Sequence, residues 1–255
     1  MNARYDYGRG GIVGIGTPQA NPTVEAEMRI LLPANVLLQT VRHASGAKEP
    51  LDRLREYLWG LPAALAQYDS LKPAVFGFGC TGSSYLVSSE SQAALIDSLE
   101  QRFGFPIVTA TDAIAWRLRQ IGARRIALAS PYPDALSDAA LSFWKREGFD
   151  VLSVERVDTG TADTRGIYRL GSDDARDAAR TLRWQPVDAV LLSGTGMPSL
   201  ALIAEAEAEE GPPLLSSNHC LALYLCHVAG IALPDVGQWA GRLAQATAFP
   251  ERTGQ

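Results

Sequence analysis

The sequence has few of the residues that mark several large classes of protein. Its 255 residues include three cysteines, Cys80, Cys220 and Cys226. An odd, widely spaced set of this kind makes no disulfide framework. The three histidines, His43, His219 and His227, have no thiols or carboxylates around them at metal-ligand spacing, so no metal is implied. Basic residues do not dominate: 23 Lys and Arg stand against 28 Asp and Glu, a net charge of −5. That argues against a nucleic-acid partner. No apolar run approaches the roughly 20 residues of a membrane span, and the polar stretch from Met1 to Gly10 has no signal-peptide core. Gly8-Arg9-Gly10-Gly11 and Gly14-Ile15-Gly16 have the wrong spacing for a phosphate loop or a dinucleotide fingerprint, so no cofactor is implied. The expectation is a soluble cytoplasmic protein. Its oligomeric state is left open, a homo-oligomer included.

What is present is an alternation of short, β-branched apolar runs with helical patterns. Strands are expected at 11–16, 36–41, 74–79, 106–109, 125–130, 149–154, 187–193 and 213–216. Helices are expected at 23–31, 51–68, 88–103, 112–121, 133–147, 172–183, 198–209 and 218–229. Strands without polar alternation are buried on both faces, so the pattern predicts parallel βαβ units. The polar end, 248–255, is expected to fray.

The second half of the chain loosely repeats the first. Gly16-Thr17-Pro18 resembles Ala129-Ser130-Pro131. The run from Val75 to Gly82 resembles that from Ala189 to Gly196, and the run from Pro106 to Asp112 resembles that from Pro213 to His219. One register pairs Cys80 with Gly194; a slip of one pairs it with Thr195. The repeat predicts two pseudo-symmetric Rossmann-like α/β halves, residues 1–116 and 117–255. Each would hold a four-stranded, mainly parallel sheet flanked by helices, and the last helix of the chain could pack onto the first half. Ligands of open α/β sheets sit beyond the carboxyl ends of strands. All the matched pieces lie there, so a cleft between the halves is the expected site.

In Gly77-Phe78-Gly79-Cys80-Thr81-Gly82-Ser83-Ser84, small residues allow a sharp turn and close approach to a ligand. A helix start just beyond Cys80 would offer backbone N–H groups to an anion and lower the thiol pKa. Cys80 is then a nucleophile or proton carrier; the alternative is a buried structural thiol. The matching loop, Leu192-Ser193-Gly194-Thr195-Gly196, carries glycine where the first half has Cys80. A two-base racemase needs a proton carrier on each face of the substrate, and here one is missing. In the first loop, Asn21 or Thr23 could cap the following helix, and Asn21 could also give its amide to a carboxylate. Tyr132 could donate its phenol to the same ligand or pack against its loop. Ser216-Ser217-Asn218 could cap a helix and serve the ligand as well. His43, in a basic loop, reads as solvated by default, and His219 as local structure. Cys220 and Cys226 read as core thiols.

These motifs resemble the aspartate/glutamate racemase superfamily, in particular the branch of maleate cis–trans isomerases and arylmalonate decarboxylases. The resemblance runs from about Gly11 to Pro234. It rests on Gly14, Pro18, Asn21 and Glu25 in the first loop and on Gly79-Cys80-Thr81. It rests further on Ser130-Pro131-Tyr132, Leu191-Leu192-Ser193 and Ser216-Ser217-Asn218. It implies a cofactor-free enzyme acting on a small carboxylic acid, with Cys80 catalytic. Asn21, Thr81, Gly82, Tyr132, Gly194, Thr195 and Gly196 would line the substrate site. Two departures stand out. Gly194 occupies the place of the isomerases' second cysteine, and Gly160-Thr161-Ala162-Asp163-Thr164-Arg165 lacks their carboxylate-binding asparagine. Arylmalonate decarboxylases carry their single cysteine in the other half. Two routes fit one cysteine: Cys80 adding to the alkene of a cis-enedioate, or Cys80 protonating the enediolate left by loss of CO2. A racemase is disfavoured by Gly194, and a non-catalytic acid-binding protein is the rival of a different class. Gly194 is also expected to leave room for a substrate bulkier than maleate.

Overall fold

The computed structural model describes residues 6–232 and 235–248. Its strands are β1 (Ile12–Pro18), β2 (Leu37–His43), β3 (Val75–Phe78), β4 (Ile107–Thr109), β5 (Arg125–Ser130), β6 (Asp150–Arg156), β7 (Ala189–Leu192) and β8 (Leu214–Ser216). They form two sheets, ordered β2-β1-β3-β4 and β6-β5-β7-β8, in which every pairing is parallel. The strands β1, β3, β4, β7 and β8 are buried along their whole length. Helices cover both faces, which is why their sequences show no polar alternation.

The helices are α1 (Thr23–Leu31), α2 (Pro50–Trp59), α3 (Leu61–Leu65), α4 (Thr81–Tyr85), α5 (Ser89–Phe103), α6 (Ala110–Gln120), α7 (Asp134–Arg146), α8 (Arg176–Arg183), α9 (Leu200–Ala206), α10 (Ser217–Ala229) and α11 (Val236–Thr247). Short 3₁₀ turns occupy Ala66–Tyr68, Thr164–Arg169 and Ser172–Ala175. The single helix expected over 51–68 is broken at Gly60, the C-cap of α2, with Pro62 in the first turn of α3. Proline lacks the N–H needed to continue the ladder. The helix start expected just beyond Cys80 is α4; α11 and the turn over Thr164–Arg169 were not expected. Of the end expected to fray, only Ala248 is among the described residues; 249–255 lie outside them, as do 1–5.

The repeat is now concrete. Gly79 N donates to Gly16 O at 2.7 Å, and Ser193 N donates to Ala129 O at 2.9 Å. These equivalent bonds select the register in which Cys80 matches Gly194. Thr109 caps α6 and Ser216 caps α10 in the same way, each accepting from the backbone N–H three residues on. The helix α10 lies against α6 and β3 of the first sheet, where Trp116 stacks on Tyr224 at 5.0 Å. In each sheet the chain reverses its winding between the two central strands, β1/β3 and β5/β7. The loops leaving those strands flank the crevice that such a switch creates.

Candidate active site

The two crevices face each other and share one small pocket. Pro18 and Asn21 reach it from the loop after β1, Cys80 and Gly82 from that after β3, Tyr132 from that after β5, and Thr195 and Gly196 from that after β7. Arg53, Leu54 and Tyr57 of α2 form one wall, and Thr164, Ile167 and Tyr168 of the 3₁₀ turn form the other. The space between them is about 20 Å³, enough for a single water molecule.

Cys80 is 4% exposed. Ser83 Oγ stands 3.1 Å from its sulfur and 2.6 Å from Leu54 O. The carbonyl can only accept, so while the single hydroxyl proton is held there, Ser83 can accept from the thiol. Rotating the hydroxyl would turn its proton to a thiolate instead. Burial pushes the Cys80 thiol up; Ser83 and the backbone of Ser83 and Gly82 oppose this without overcoming it. The expected lowering of the Cys80 pKa is therefore corrected: in the closed pocket desolvation of the anion outweighs its donors, and the resting group is a thiol.

Asn21 performs the capping role expected of it and ties the two halves together. Its Oδ1 accepts from Thr23 N at 2.8 Å and Val24 N at 3.2 Å, capping α1, while its Nδ2 donates to Thr195 Oγ1 at 3.5 Å across the cleft. Thr195 Oγ1 donates to Gly79 O at 2.9 Å, and Thr23 Oγ1 donates to Gly196 O at 2.9 Å. The hydroxyls of Thr81 and Tyr132 share a 2.7 Å bond. That bond places Thr81 directly behind Tyr132 rather than on the pocket surface. Burial pushes the Tyr132 phenol well up, so it stays a neutral donor.

Gly194 is likewise set back. Its N–H donates to Ser217 Oγ at 3.1 Å. A Cβ built there would lie 2.8 Å from Ile167 Cδ1, 3.2 Å from Pro131 Cγ and 3.4 Å from Tyr132 Oη. The expectation that Gly194 leaves room opposite the thiol is therefore corrected: Ile167 fills that room. Behind the Thr195 loop lies Glu27, a buried carboxylate accepting from Ser199 N at 2.7 Å and Asn218 Nδ2 at 2.7 Å. Asn218 Nδ2 also donates to Thr195 O at 3.0 Å. Ser217 and Asn218 thus set the loop from beneath, while Ser216 only caps α10.

The most highly charged wall residue is one the sequence reading did not pick out. Arg53 is 3% exposed, and its Nη2 donates to Asp163 Oδ1 at 2.6 Å and Thr164 Oγ1 at 3.4 Å. Arg165 also grips Asp163, through Nε at 3.0 Å and Nη2 at 2.6 Å. Arg165, with Arg53 adding to it, holds the Asp163 carboxyl down at about 2. In the sequence only the i, i+4 spacing of Arg53 and Tyr57 places the two on one helix face, and nothing there marks that face as part of a site.

The remaining candidates lie elsewhere. His43 is no solvated loop residue. It ends β2, 3% exposed, edge-on to Phe78 at 5.0 Å, with both ring nitrogens lacking a partner among the described residues. Burial lowers its pKa to about 4. His219 sits in the first turn of α10 and is lowered likewise to about 4, by burial and then by Arg117. Cys220 and Cys226 are buried in α10, pushed up to about 12 and about 11 by desolvation. Among the described residues no helix is long and apolar enough to cross a membrane.

The pocket therefore offers one thiol, the Tyr132 phenol, an amide and a guanidinium, a set suited to a small carboxylate. Comparison with known proteins places this arrangement. The maleate isomerase of Nocardia farcinica is 27% identical over 250 residues, covering 91% of this chain and 94% of that protein. The arylmalonate decarboxylase of Bordetella bronchiseptica is 28% identical over 147 residues, 57% of this chain and 60% of that protein. Among solved structures, a cysteine-to-serine mutant of the Nocardia farcinica maleate cis–trans isomerase, holding a covalently bound succinylcysteine intermediate, superposes with a TM-score of 0.73. It has 22% identity and covers 88% of this chain and 95% of that one. The chain is an enzyme of the superfamily that holds these isomerases and decarboxylases. The family model for arylmalonate decarboxylase matches residues 68–244, most of the chain and the loops of Cys80, Tyr132 and Thr195 with it, and the chain belongs to that family.

Proposed function

We propose that the protein is a cofactor-independent cis–trans isomerase of small unsaturated dicarboxylates, with Cys80 as its single catalytic cysteine. The observation that carries this reading is the position of Cys80. Of the three cysteines it alone lines the pocket, among Asn21, Tyr132 and Thr195.

The neutral resting thiol suggests a balanced sequence. The sulfur adds to one alkene carbon, and the thiol proton ends on the other. The S–H and C=C π bonds break as S–C and C–H bonds form. The resulting thioether has a single bond where the alkene stood. Rotation about it, then elimination, returns the proton to sulfur and releases the trans acid. Tyr132 and Asn21 bear the charge that develops on the neighbouring carboxylate, and Ser83 meets the sulfur whenever it carries charge. The covalent succinylcysteine of the Nocardia farcinica mutant is an adduct of this composition.

A second reading is favoured by the same protonated thiol: Cys80 as sole proton donor to the enediolate formed when a malonate loses CO2. A proton NMR time course in D2O, with maleate and phenylmalonate offered separately, distinguishes the two. Fumarate that disappears with Cys80→Ser supports the isomerase. Phenylacetate deuterated at its α-carbon supports the decarboxylase and overturns the leading reading. If neither product forms, both fail.

A further inference from the structure

Arg53 has more donors than its protein partners use. Burying a guanidinium costs several kcal/mol unless it is paired. Yet its partner Asp163 is shared with Arg165, which holds both carboxylate oxygens. Two guanidinium groups face one carboxylate, so a positive charge is left over at the pocket wall. Only Nη2 of Arg53 is committed, to Asp163 and Thr164; among the described residues Nε and Nη1 donate to nothing. The side chain nevertheless borders the same space as Cys80.

We propose that Arg53 is the receptor for the second carboxylate of the substrate, with Asp163 as the positioning residue that aims it. This rests on the reading of the Cys80 pocket as a small-acid site. The planar fork of a guanidinium matches a carboxylate bidentately. The first carboxylate takes the hydroxyl and amide donors beside the thiol, and the second spans the pocket to α2. Asp163 and Thr164, on the opposite wall, hold the Arg53 side chain in place. The substrate class follows: dicarboxylates whose acid groups sit on different carbons. A guanidinium bound to a carboxylate stabilises the charge that must vanish in decarboxylation, so this subsite opposes loss of CO2 from the group it holds.

Binding rather than turnover tests the proposal. Succinate, an unreactive dicarboxylate, and monomethyl succinate, its monoacid, are titrated calorimetrically into Cys80→Ser enzyme, alone and with Arg53→Met, Arg53→Lys or Asp163→Asn. Arg53→Met is expected to weaken succinate about 10- to 150-fold, the range of a hydrogen bond to a charged group, while changing the monoester less than about threefold. Arg53→Lys keeps the charge, loses the fork and falls between. Asp163→Asn weakens succinate less than Arg53→Met does. Equal binding of succinate by all forms overturns the proposal, as does an equal loss for both ligands or no succinate binding at all. Where Arg53→Met does not fold, the succinate-to-monoester ratio of Arg53→Lys decides: a drop supports the subsite and no change overturns it. The two readings fail separately. Arg53-dependent succinate selectivity without any Cys80-dependent fumarate would remove the isomerase and keep the subsite. Cys80-dependent fumarate with Arg53-independent binding would do the reverse.

Discussion

Restoring the second cysteine should damage the enzyme rather than complete it. Gly194 has φ +111°, where a side chain is strained by about 1–3 kcal/mol. A Cβ there meets Ile167 Cδ1 at 2.8 Å and Pro131 Cγ at 3.2 Å. Overpacking costs about 1–3 kcal/mol, and the isoleucine methyl is a flexible end that can yield, so the lower value applies. Gly194→Cys is therefore expected to lose about 2–4 kcal/mol. For a protein of this size each kcal/mol lowers Tm by about 2–4 °C, which gives a fall of about 4–16 °C by calorimetry. Gly194→Cys/Ile167→Ala separates the two causes. Removing the methyl should relieve the contact but leave the backbone strain, so the double mutant should be more stable than the sum of the single effects predicts. A Gly194→Cys protein melting within about 1 °C of wild type would refute the reasoning. So would purely additive losses, which would show that Ile167 does not hold the space.

Further outcomes follow from the same geometry. Because burial raises the Cys80 thiol above its ordinary 9.0, its alkylation by iodoacetamide, corrected with Cys80→Ser, should climb throughout pH 7–9; a plateau below pH 8 would show an activated thiolate. His43 is lowered from 6.5 to about 4. It stays neutral in the fold while the unfolded chain takes up a proton, so stability falls as pH drops from 6.5 towards 4, by about 3 kcal/mol in all. His43→Leu should remove that part of the acid sensitivity in pH-dependent denaturant melts. Tyr132→Phe keeps the ring and loses the 2.7 Å bond to Thr81. Its expected effect is a kcat lowered about 100- to 1000-fold with Tm changed by only a few degrees.

The strands β1, β3, β4, β7 and β8 are legible because a strand buried on both faces shows a short, nearly unbroken apolar run. The cleft is legible because the repeat matches strand ends, and Cys80, Asn21, Tyr132 and Thr195 do converge on one pocket. What the sequence hides is long-range. Arg53 looks like any helix-surface arginine until the 3₁₀ turn over Thr164–Arg169 closes over it, and nothing near Asp163 in the chain says which cation it meets. Gly194 reads as empty space because a missing side chain does not reveal that Ile167, on another element, has moved in. The direction of the Cys80 shift was misjudged for the same reason. Its donors are local and visible in Thr81-Gly82-Ser83, whereas the burial that overrides them comes from both halves.

The last strand of the second sheet hands the chain back to the first: α10 leaves β8 and lies on α6 and β3. A protein ending after Gln120 would keep α6 and β3 but lack the helix that covers them. It could shield that face only by borrowing the matching helix of another copy. A single-sheet ancestor with this topology would have been an obligate pair, with an active site shared between two identical polypeptides. Fusion into one chain would have freed the two sides of the cleft to diverge, a thiol on one and a glycine on the other.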